Sequence, residues 1–177
     1  MKSFKRIFRL FMLVVVFSFN SMAFAAGTVT QLTRENYPDS DLHIKKLIFL
    51  CTGDAADGSV PNTATSTPNT SFIKGMRLFQ VEAYPTAGGT APDAADVFIL
   101  DADGMDLLGS VDGSTTAYRG LNLIHATLKY ATNPDLYRLG QTSHVDYYPL
   151  ITGALTLKVK NQATVNANYT IVLTFIK

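Results

Sequence analysis

The last third of the chain alternates. In Leu155-Thr-Leu-Lys-Val-Lys160, apolar side chains fall at every second position. Tyr169, Ile171, Leu173 and Phe175 repeat the pattern, with Thr170 and Thr174 between them. A strand turns successive side chains to opposite faces, so period two predicts strands with one buried and one wet face. The polar stretch 161–167 joins the two runs, which predicts a β-hairpin with Lys158 and Lys160 facing water.

Earlier segments read the same way. Strands are predicted over Ile44–Cys51, Gly75–Tyr84 and Asp96–Asp101. In the second, Phe79, Val81 and Ala83 make an apolar face opposite Gln80 and Glu82. Val97 to Leu100 is apolar on both faces, which suits an inner strand. Residues 121–130 fit either strand alternation or a helical stripe of Leu121, Ile124 and Leu128. No capping residue followed by Glu or Gln marks a helix start there, which favours strand. Without β–helix–β alternation, the predicted fold is all-β: an antiparallel β-sandwich, jelly-roll or Ig-like. Two polar stretches interrupt it. Residues 59–71 are nearly all Ser, Thr, Asn and Pro, so a mobile loop is predicted. Residues 85–92 hold Gly88-Gly89 between two prolines and read as a second loop.

The first 25 residues state an address. Lys2, Lys5, Arg6 and Arg9 precede an unbroken apolar run from Leu10 to Phe17, and Ala23-Phe-Ala25 follows as a small-x-small cleavage site. This is the layout of a bacterial-type secretory signal peptide. The run falls short of the roughly 20 residues that span a bilayer, so no membrane span is expected after cleavage. Residues 1–25 are thus a signal peptide and 26–177 a single mature domain, exported to the periplasm or the extracellular space. Losing four basic and no acidic residues moves the formal charge from +1 to −3. Lys45-Lys46 is the only basic doublet of the mature part, so nothing in the charge pattern points to nucleic acid. The single cysteine, Cys51, allows no internal disulfide and reads as a small buried hydrophobe.

Candidate chemistry is sparse. Asp101, Asp103 and Asp106 alternate as calcium ligands could, but Gly104 and Asp112 are misplaced for a helix–loop–helix site. The stretch is predicted to turn the chain between Val97–Leu100 and Leu107-Leu108, as Asp and Gly favour. His43, His125 and His144 have no zinc-type partners at short spacing. His144 and Asp146 would share a strand face, yet no Gly-x-Ser-x-Gly elbow supplies a nucleophile. The two glutamates, Glu35 and Glu82, suggest no glycosidase pair. Tyr130, Tyr137, Tyr147 and Tyr148 cluster in the sequence, as either core and rim or a stacking surface.

The strand Ile73–Tyr84, its Pro/Gly loop, ADVFILDADGMDLLG (95–109) and the closing GALTLKV (153–159) form an ordered set. In these residues the chain resembles small β-sandwich structural proteins of tailed phages and prophages. The resemblance covers about the last hundred residues, and the signal peptide departs from it. It implies a structural, non-enzymatic role with no catalytic residues to carry over. The expected function is an exported structural or binding module acting through surface contacts with a protein, a cell surface or other copies of itself. No cofactor, metal or catalytic residue is expected. The alternatives are an exported hydrolase with an unrecognised site and a calcium-dependent adhesive domain.

Overall fold

A computed structural model describes residues 26–36, 43–108, 121–124, 130–132 and 148–177, with residues 36, 121–124, 130 and 132 described by backbone alone. These residues are mostly β. The strands are β1 (Thr28–Asn36), β2 (Ile44–Thr52), β3 (Thr63–Ala64), β4 (Arg77–Pro85), β5 (Ala95–Leu100), β6 (Leu121–Ile124), β7 (Tyr130–Thr132), β8 (Thr156–Lys160) and β9 (Asn168–Ile176). One short helix, α1, spans Thr67–Ile73. The strands form two antiparallel sheets, one in the order β1-β2-β9-β4-β7 and the other β3-β8-β5-β6.

The two sheets share one core. Leu47, Phe49 and Cys51 of β2, Leu78, Val81 and Ala83 of β4, and Tyr169, Ile171, Leu173 and Phe175 of β9 come from the first. Ala95, Val97 and Ile99 of β5 and Leu157 of β8 meet them from the second. The period-two pattern fixes this face. Register then stacks it, with Leu173 between Leu47 on β2 and Val81 on β4. Burying each such side chain contributes on the order of 2 kcal/mol.

The predicted C-terminal hairpin does not form. β8 pairs with β3 and β5, whereas β9 pairs with β2 and β4 in the other sheet. The stretch between them crosses from sheet to sheet, with Asn161 and Asn166 at positive φ. Asparagine is among the few residues other than glycine that adopt this conformation readily. Gly58, also at positive φ, lies against this crossing. A Cβ there would come within 2.6 Å of the Ala163 carbonyl carbon.

Three further expectations need correction. A β-bulge between Leu78 and Gln80 takes Phe79 off the core face and puts Leu78 there instead. Residues 59–71 are not an irregular loop throughout, because they contain β3 and most of α1. Ser66 caps that helix by accepting the Asn69 N–H, Pro68 sits in its first turn, and Ile73 anchors it in the core. The polar composition stops one residue short of Phe72 and Ile73, the apolar pair behind the helix. Finally, the single strand expected over 121–130 is two strands, β6 and β7, in different sheets, with 125–129 outside the described residues. The inner position expected for Val97–Leu100 is observed: β5 lies between β8 and β6.

Candidate functional site

The aspartate segment is a turn. Asp101 accepts the Asp103 and Met105 N–H groups through Oδ1 at 3.0 and 2.8 Å, and Gly104 takes positive φ. The chain then returns along β5, with Leu107 N–H donating to the Ile99 carbonyl at 2.8 Å. Asp106 has another task. Its Oδ1 accepts the Ile99 and Leu108 N–H groups at 3.0 and 3.2 Å. The carboxylate thus serves β5 just beyond Ala95–Val97, where β6 pairs. Its Oδ2 is buried with no hydrogen-bond partner among the described residues. Burial raises the Asp106 pKa, and the two N–H donors oppose that rise. Among the described residues, no three His, Cys, Asp or Glu side chains are grouped to hold a metal.

The other sequence candidates are not brought together. His43 is half-buried at the start of β2, and His125 and His144 lie outside the described residues, as does Asp146. Cys51 is buried, and desolvation pushes its thiol up to about 12. Such a thiol is protonated and unreactive at neutral pH. Of the clustered tyrosines, Tyr137, Tyr147 and the Tyr130 side chain are outside the described residues. Tyr148 stacks on Phe79 with ring centroids 5.4 Å apart, so the bulge that removes Phe79 from the core supplies its partner.

What stands out is a surface. On the outward face of the five-stranded sheet, register sets Leu32, Ile48, Val172 and Glu82 in one row across β1, β2, β9 and β4. Thr30, Leu50, Thr170 and Tyr84 make the next row. Central positions are sheltered by their neighbours, and Val172 is only 4% exposed. Leu32 and Leu50 are left open at 43% and 39%. The sequence pattern missed β1 because Val29 and Leu32 do not keep period two; its β-branched threonines were the available signal.

β1 is also an edge. It pairs with β2 over nine unbroken positions, and among the described residues no strand pairs with its other side. It is held in place by side chains. Gln31 donates to the Ala64 carbonyl at 2.7 Å and accepts from the Ser66 N–H and Asn69 Nδ2, tying β1 to the segment between β3 and α1. Lys45 faces Glu35 at 3.7 Å and donates to the Phe72 carbonyl, with its ammonium over the Phe72 ring.

Compared with family models, curated proteins and solved structures, the chain matches none. Among the described residues, no helix is long and apolar enough to cross a membrane.

Proposed function

We propose that the protein is an exported, non-enzymatic module that works by presenting surface to a protein or cell-surface partner. The observation that carries this reading is the outward face of the five-stranded sheet, with Leu32 and Leu50 exposed beside an edge strand. Large apolar side chains grouped on a surface mark contact sites more often than solvated faces. Export rests on the signal layout of residues 1–25. It places the mature N-terminus at Ala26, two residues before β1 begins.

The fold reading is a jelly roll. β2 pairs with β9, β3 with β8, β4 with β7 and β5 with β6, all antiparallel. This is the pairing of one long hairpin, closed at β5–β6 and wound into two four-stranded sheets. β1 adds a ninth strand outside that unit, beside β2. The architecture is used by capsid and lectin domains. The functional reading rests on the surface and not on the fold.

The test follows the full chain in an exporting bacterium. N-terminal sequencing of the exported protein should begin at Ala26, and a broad hydrolase screen should be blank. A chain retained in the membrane with Met1 intact, or an activity lost in His144→Ala with the melting temperature unchanged, would overturn the reading.

A further inference from the structure

We propose that β1 is the interface between two copies of this chain. It pairs antiparallel with β1 of a second copy across a two-fold axis at Leu32. The inference rests on the contact-module reading and names its partner. Three observations carry it.

The first is the open backbone. A strand with one antiparallel neighbour uses half of its N–H and C=O groups, and the other half point away. Among the described residues, β1 makes no backbone pairing beyond β2. The second is the lack of protection. Exposed edges are normally blunted by charged side chains, proline, a bulge, short length or a covering helix or loop. β1 is nine residues long, contains no proline, keeps unbroken register with β2, and confines its charges to one end, where Arg34 is on the outward face and Glu35 on the core side is paired with Lys45, so residues 28–33 carry none of these protections.

The third observation is self-complementarity, which selects a second copy over a foreign strand. Centring the pair on Leu32 sets Thr28 against Asn36, Val29 against Glu35, Thr30 against Arg34 and Gln31 against Thr33. All nine residues are used, and no like charges oppose. The row Val172–Ile48–Leu32 then runs without a break into the same row of the second copy. Centring on Arg34 or Glu35 would oppose like charges, and so would parallel pairing in register. A two-fold arrangement also closes, giving a dimer rather than an open fibre. Gln31, held by Ala64, Ser66 and Asn69, fixes the edge beforehand and lowers the ordering cost of pairing.

The experiment uses protein exported from cells expressing the full chain. Sedimentation equilibrium should give twice the mass of the exported chain, in a concentration-dependent way. Leu32→Cys should oxidise to a covalent dimer, because directly opposed residues lie about 4.5–5.5 Å apart between Cα atoms, within the usual disulfide span of about 4.4–6.8 Å. Thr30→Cys alone should not cross-link, but mixed with Arg34→Cys it should. Buried Cys51 does not compete. Leu32→Lys puts like charges on the axis and should give a monomer with an unchanged circular dichroism spectrum. A monomer at every concentration overturns the pairing. So does a dimer in which Leu32→Cys fails to cross-link, or one that Leu32→Lys leaves intact. If the hydrolase screen is blank, any of these leaves the contact-module reading standing.

Discussion

The two sheets finish their exposed parts differently. In the four-stranded sheet, Phe98 points outward yet is only 7% exposed. Lys158, directly opposite it on β8, and Lys160 each hold an ammonium 5.7 Å from its ring centroid. Their aliphatic stems cover the ring while their charges stay in water. At the end of β5, the Asp106 carboxylate supplies the acceptor that a longer β6 would have supplied. In the five-stranded sheet, β1 is tied by Gln31 to the segment between β3 and α1, but the described residues supply no strand beyond it. Leu32 and Leu50 stay 43% and 39% exposed, with Arg34 and Lys46 in the next row of the same face, and the strand's outer edge pairs with no described strand. That difference among the described residues, Phe98 covered and the two leucines open, is the basis of the proposed contact surface.

The contrast can be broken at its base. Leu173, fully buried on the central strand, supports the core under both outward faces. Leu173→Ala should cost about 2–5 kcal/mol, because the lost burial is compounded by a cavity. Against a typical stability of about 5–15 kcal/mol, denaturant titration should show a large drop, and association should fall with it. A drop within the range of a surface substitution would mean the core is not shared as described.

A smaller effect tests whether the four-stranded sheet completes itself. Asp106→Ala leaves the Ile99 and Leu108 N–H groups without their acceptor, at about 1–3 kcal/mol for each buried group left unpaired. Asp106→Asn keeps an acceptor oxygen and should cost far less. The pH dependence has a definite sign. Burial raises the Asp106 pKa in the folded protein, so its contribution to stability is fully present below the unfolded pKa and is lost as pH rises through the folded one. The wild type should therefore gain stability relative to Asp106→Asn as pH falls through that folded pKa. Melting curves of the two proteins across acidic pH check this, and a difference that stays flat with pH would remove the buried carboxylate from the account.

The smallest effects sharpen the comparison of faces. Lys158→Ala uncovers part of Phe98 and should cost about 0.5–1 kcal/mol, the range of an exposed cation–π contact. Leu50→Ser, on the open face, should change stability by no more than about 0.5 kcal/mol. Thermal melts of the pair should separate them in that order. The reverse order would show that Leu50 is needed by the fold and that Lys158 is the idle residue.

Much of this molecule was legible in its sequence. Alternation in β4, β8 and β9 marked three strands, although the bulge at Phe79 moved one inward position. The two-sided apolar run 97–100 marked an inner strand, and the Asp and Gly residues after it marked a turn. These are local signals, set by side-chain period and by the backbone freedom of single residues. Other features were not legible. Whether two alternating runs pair with each other or with strands in separate sheets depends on partners far along the chain, so β8 and β9 read as a hairpin when they are not one. The helix α1 was hidden because its anchors, Phe72 and Ile73, follow a polar stretch. The open face was hidden for a related reason. Leu32, Leu50 and Phe98 all sit on outward faces, and only the register across strands decides that two lysine ammoniums lie over Phe98 while the two leucines stay 43% and 39% exposed. The sequence by itself determined a mostly β chain, the aspartate turn and most of the side chains that β2, β5, β8 and β9 bury, because these follow from period two and local backbone preference. Tertiary structure alone decided which strands are neighbours, because pairing joins residues distant in the chain, and therefore which edge and which face were left uncovered.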